Sequence, residues 1–91
     1  MGVSDPAERL KEFRGLIDSL DEKILALLNE RATVALEIGA TKKSAGLPVV
    51  ELTRERAVVE RMMGRNAGPL GNDAIERIYI AIMLEMRRLQ D

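Results

Sequence analysis

The residues of this chain whose positions ask for a chemical explanation are its cations. Five of them, Arg14, Arg31, Lys42, Arg54 and Arg56, fall beside apolar helix seams or near helix ends. A charged residue on a helix ordinarily just solvates an outer face. Arg31 breaks that pattern. Stepping alternately by three and four residues from Leu10 through Phe13, Ile17, Leu20, Ile24 and Leu27, it takes the place before Val34 where an aliphatic is expected. A guanidinium on a buried seam needs an anionic partner. Lys42 lies eleven residues beyond it. On a helix that separation is three turns, about 16 Å along the axis, and brings the two side chains within about 20° of one direction. Two cations facing one space predict a bound small anion. A carboxylate is the expected one, because the sequence has neither a P-loop nor the Gly-x-Gly of a dinucleotide site.

Acidic residues offer the complementary half of a site. Glu55, in the first turn of the second expected helix, has an ordinary use in favouring the helix dipole, and Glu51 is an ordinary loop charge. Either is also able to accept a hydroxyl from a substrate. Gly39, inside the first helix, costs about 1 kcal/mol relative to alanine, which points to close approach by another helix or by a ligand. Met83 and Met86 read as core. Arg14 precedes Arg31 by seventeen residues. That is about 25 Å along a helix, and Lys42 is about 42 Å away, so one chain cannot bring Arg14 into their pocket. Its default reading is a surface arginine; if it binds the same ligand, it comes from a second chain.

Composition removes most other chemistry. The chain has no cysteine and no histidine, which excludes thiol nucleophiles, disulfides, zinc sites of the usual ligand types and imidazole acid-base catalysis. A net charge of -1 and two aromatic residues, Phe13 and Tyr79, argue against a nucleic-acid partner. No run of eighteen apolar residues and no signal-peptide core occurs, so no membrane association and a soluble, cytoplasmic protein are expected. Met1-Gly2 resembles a myristoylation start, but Pro6 stands where serine or threonine is needed.

These residues must be positioned by helices. The pattern predicts one helix from Asp5 to Lys43, opened by Asp5, Pro6 and Glu8 and stopped by Gly46 and Pro48. A rod of that length is about 58 Å long, against a radius of gyration near ~12 Å for a compact chain of this size. A lone globule would leave much of the seam wet, so a homodimer is expected, with an internal kink as the competing remedy. After a connection through Leu52 with an extended run at Val49-Val50, Thr53 is the expected cap of a second helix carrying Val58, Val59, Met62 and Met63. Residues 64–71 form a loop, and Asn72 or Asp73 caps a third helix with Ile75, Ile78, Ile82, Met86 and Leu89 on one face, running to the end of the chain. The class is all-α, with one long and two shorter helices in a single domain of residues 1–91.

The stretch from Leu20 to Arg31 (LDEKILALLNER), then Glu37-Ile38-Gly39 and Lys42, then Pro48-Val49 and Arg54-Glu55-Arg56, resembles the AroQ-type chorismate mutases over nearly the whole chain. The resemblance implies an intertwined all-helical homodimer with two active sites, each lined by both chains. It implies conversion of chorismate to prephenate in aromatic amino-acid biosynthesis, with no cofactor and no metal. Carried over residue by residue, Arg31 and a partner chain's Arg14 pair with the two carboxylates, while Lys42 and Gln90 donate to the ether oxygen. Glu55 takes the ring hydroxyl with help from Glu51, and Arg54 lies near the enolpyruvyl side. Two positions depart from the family: Glu51 is one methylene longer than the aspartate often found there, and Met86 replaces a small hydroxyl residue in the substrate site, with Arg87 beside it. Association with another shikimate-pathway enzyme is compatible with the resemblance. Two alternatives stay open, an isochorismate-pyruvate lyase of the same fold and a non-catalytic helical dimer module.

Overall fold

The computed structural model describes residues 5–90, and the Met1-Gly2 pair and Asp91 lie outside them. Three helices account for most of these residues: α1 (Pro6–Ala45), α2 (Leu52–Arg65) and α3 (Asn72–Gln90). No strand occurs among the described residues, and Val49-Val50 sits in an irregular connection. By its internal contacts the chain divides into two units at Arg31.

The first unit is the N-terminal stretch of α1. Its start follows from local chemistry: the Ala7 amide donates to Asp5 Oδ1 at 2.6 Å, and Pro6 takes the first helical position, where a missing N–H costs nothing. The Arg9 guanidinium lies over the Phe13 ring, 6.0 Å from its centre. The seam residues Leu10, Phe13, Ile17, Leu20, Ile24 and Leu27 are 49–64% exposed. This unit therefore buries no apolar core of its own.

The second unit holds the remainder of α1 with α2 and α3. Here α1 ends in a Schellman turn: the Gly46 amide donates to the Lys43 carbonyl at 3.2 Å and the Leu47 amide to the Lys42 carbonyl at 2.8 Å. Gly46 has φ of 70°, a conformation that a side chain disfavours. The helix thus extends two residues past the expected Lys43.

The expected cap of α2 is corrected. Thr53 lies inside the helix, which begins at Leu52 with Glu51 in the capping position and no side-chain capping bond. The Glu51 carboxylate is engaged elsewhere, as described below. Between α2 and α3, Asn66 organises the loop by donating from Nδ2 to the Leu70 carbonyl and to Asn72 Oδ1, both at 2.8 Å, while its Oδ1 accepts the Gly68 amide at 3.0 Å. Asn72 is the first residue of α3, and the Gly71 carbonyl accepts the Ala74 and Ile75 amides.

The α2 and α3 helices pack on each other, and the buried apolar side chains among the described residues are those of Val59, Met83, Met86 and, from α1, Ala35. Each such burial contributes roughly 1.5–3 kcal/mol for the large side chains. Gly39 is buried as well, and the end of α3 is what approaches it: a Cβ there would stand 3.0 Å from Gln90 Cγ and 3.3 Å from its Cβ. Close approach of a helix, not of a ligand alone, explains this glycine. An exposed clasp of Arg56 to Glu76 at 2.5 Å and Glu60 at 3.1 Å joins α2 to α3. Donation to Glu76, then to Glu60, raises the Arg56 guanidinium above its ordinary value.

Candidate functional site

Three polar contacts join the helix ends of the second unit. The Lys42 ammonium pairs with Glu51 Oε1 at 2.8 Å and donates to the Val49 carbonyl at 3.2 Å. Glu55 receives a two-pronged contact from Arg87, Nη2 to Oε1 at 2.5 Å and Nε to Oε2 at 3.2 Å. Gln90 Nε2 donates to the Ala35 carbonyl at 3.0 Å.

Helix geometry links these contacts into a closed circuit. On α2, Glu55 follows Glu51 by one turn, and its amide donates to the Glu51 carbonyl at 3.0 Å. On α3, Arg87 precedes Gln90 by three residues, which places both on one face. On α1, Ala35, Gly39 and Lys42 follow at steps of four and three, so Gln90 seats on the same face from which Lys42 projects one turn later. The circuit runs Lys42, Glu51, Glu55, Arg87, Gln90 and back to α1.

Its donors are arranged for a particular task. An ammonium has three N–H donors, and the protein partners of Lys42 take two, leaving one to aim at a ligand. With Glu51 balancing its charge, Lys42 is a weak counter-ion for a carboxylate but still a strong hydrogen-bond donor. The Gln90 amide likewise has a second N–H beyond the one on Ala35. Lys42 has a side chain only 17% exposed, so its position is tightly held. No cluster of His, Cys, Asp or Glu suited to a metal occurs among the described residues.

The expected site residues distribute as follows. Lys42, Glu51, Glu55 and Gln90 come together in the circuit of the second unit. Arg54 is exposed on the first turn of α2. Met86 is buried, 8% exposed, on α3 one residue before Arg87. Arg14 is exposed and Arg31 half-buried, both in the first unit. The pairing of Arg87 with Glu55 is not among the expectations from sequence, although Ile80, Met83, Leu84 and Arg87 recur at the helical spacing that faces α2. Together with Leu52, Glu55, Arg56 and Val59 they line a cavity of about 320 Å³.

A family model for chorismate mutase type II matches residues 13–91. The chain belongs to that family. It is 42% identical over 80 residues to the bifunctional chorismate mutase/prephenate dehydratase of Aquifex aeolicus, covering 84% of this chain and 22% of that protein. It is 36% identical over 55 residues to the chorismate mutase of Methanocaldococcus jannaschii, covering 60% of this chain and 56% of that one. The chain therefore spans about a fifth of the length of the bifunctional relatives. Among solved structures, form II of the chorismate mutase from Thermus thermophilus superposes with a TM-score of 0.89 at 28% identity, covering 90% of this chain and 93% of that one. The chorismate mutase from Helicobacter pylori in complex with prephenate gives 0.83 at 26% identity, covering 91% and 90%. Like these chorismate mutases the chain is all-helical, and no helix among its described residues is long and apolar enough to cross a membrane.

Proposed function

We propose that residues 1–91 act as one chorismate mutase domain, a cytoplasmic isomerase that rearranges chorismate to prephenate. The observation that carries this reading is the circuit in which Lys42 of α1 and Gln90 of α3, fixed by Glu51 and by the Ala35 carbonyl, bring their donors together at one face of α1. The reaction is an intramolecular pericyclic rearrangement: one carbon–oxygen bond breaks as one carbon–carbon bond forms. It requires no nucleophile, metal or cofactor, which suits a chain without cysteine or histidine.

Two tasks then fall to the protein. The first is to hold a flexible dicarboxylate in the compact arrangement that brings the reacting carbons together. Arg31 and Arg14 of the partner subunit take the two carboxylates in this reading, and Arg54 supports the enolpyruvyl side. The second is to stabilise negative charge growing on the ether oxygen, where the remaining N–H groups of Lys42 and Gln90 serve as prepared donors. Because that charge is larger in the transition state than in the substrate, these donors raise turnover rather than affinity alone. Glu55 accepts the ring hydroxyl, and Glu51 keeps Lys42 oriented.

The half-exposed seam of the first unit supports a homodimer, since a second copy of the same seam is the surface that its heptad spacing fits. The fusion of relatives to a prephenate dehydratase supports association with an enzyme that consumes prephenate.

The test is the loss of chorismate absorbance with purified protein. Wild type is expected to form prephenate, with kcat/KM reduced at least about a hundredfold in Arg31→Ala and Lys42→Ala, the scale at which loss of a prepared donor is felt. A folded protein without turnover overturns the reading, and salicylate and pyruvate from isochorismate would replace it with the lyase.

A further inference from the structure

The carboxylate proposed to take the ring hydroxyl is itself gripped by another side chain through both of its oxygens. Both oxygens of Glu55 are held by Arg87, and the two side chains are 22% and 33% exposed. A contact through both oxygens fixes the plane of the carboxylate as well as its position, which a single point charge does not. Each oxygen keeps lone-pair capacity to accept one hydroxyl.

Arg87 is itself held. Its turn of α3 lies between buried Met83 and Gln90, and it lines the cavity with Val59, Ile80 and Leu84. The guanidinium therefore reaches Glu55 from a packed helix face at the same end of α3 that delivers Gln90 to α1.

We infer that Arg87 is a positioning residue for the reaction: it locks Glu55 in the orientation that accepts the substrate's ring hydroxyl, and so links the hydroxyl acceptor to the ether-oxygen donor Gln90 through one turn of α3. This rests on the mutase reading of the site. The glutamate in the first turn of α2 is thus placed by α3, and Arg87 acts on the substrate through it.

The experiment is a double-mutant cycle on the full chain with chorismate, using Arg87→Met and Glu55→Gln. Methionine keeps much of the apolar stem in the cavity, and Arg87→Lys restores a charge without the two-pronged grip. Misplacing a substrate-contacting group by about 1 Å can cost up to a hundredfold. Arg87→Met is accordingly expected to lower kcat/KM by about ten- to a hundredfold, at protein concentrations and temperatures where melting curves show it folded, with Arg87→Lys recovering part of the loss. In the Glu55→Gln background, Arg87→Met is expected to cost less than about twofold more, because the group it positions is already altered. Wild-type turnover with Arg87→Met unimpaired, or with the two losses multiplying, overturns the positioning role and leaves the mutase standing. Absence of wild-type turnover overturns the mutase reading and this inference together.

Discussion

Gly39 is the residue at which helix packing and the proposed chemistry meet most tightly. Its hydrogen faces Gln90, and a methyl in its place would press Gln90 Cγ at 3.0 Å. Two effects oppose each other on substitution. Alanine favours the helix by about 1 kcal/mol, whereas seating its methyl requires Gln90 to move by a few tenths of an ångström at the last turn of α3. The bond from Gln90 to the Ala35 carbonyl is what aims its second N–H. The expected result for Gly39→Ala is a melting temperature within a few degrees of wild type, with kcat lowered by about tenfold or more as the donor is misplaced. A full loss of folding would place the importance of Gly39 in packing alone, and unchanged kcat would remove Gln90 from the chemistry.

At the scale of the elements, the helix boundaries divide by what sets them. The start of α1 and its terminator could be read from local residues, because Asp5 accepts an orphan amide, Pro6 has no amide to leave unpaired and Gly46 takes the turn conformation, although the helix runs two residues past the expected Lys43. The start of α2 could not. Thr53 is the better local cap, yet the helix begins one residue before it, and Glu51 in the capping position turns its carboxylate to Lys42 at 2.8 Å. The residue in the capping position is thus engaged by the end of α1, a contact between elements that no local capping preference reveals. The same distinction runs through the site. Lys42 and Glu55 could be singled out from sequence by residue type and helix position, but the pairing of Glu55 with Arg87 spans thirty-two residues and depends on how α2 meets α3. Met86 is buried on the same turn of α3 as Arg87, and its residue type alone reads as core. The terminator of α1 carries its own prediction. Gly46→Ala forces a side chain onto a φ of 70°, which costs about 1 kcal/mol. Thermal unfolding is expected to shift down by about 4–8 °C, the usual response of a domain this small. No shift would mean that the connection adopts another turn without loss.

For the whole molecule, the proposal that matters is that one active site draws on two chains. The exposed heptad seam calls for a second copy, and Arg14 lies on that seam's unit, far in sequence from Lys42, Glu55 and Gln90. A site assembled within one chain and a site shared between chains make opposite predictions for mixed variants. Arg14→Ala and Lys42→Ala homodimers are each expected to be nearly inactive. If a site uses Arg14 of the partner subunit, a heterodimer of the two variants contains one site carrying both lesions and one carrying neither. Random exchange makes about half the dimers mixed, so about a quarter of all sites regain their full set of residues. Unfolding and refolding the two variants together should therefore restore about a quarter of wild-type kcat. Sedimentation of the wild type should give the mass of two chains under the same conditions. If Arg14 instead serves the site of its own chain, every site in the mixture carries one lesion or the other. The mixture then stays as inactive as its components, which would sink the shared site even if the dimer itself is found.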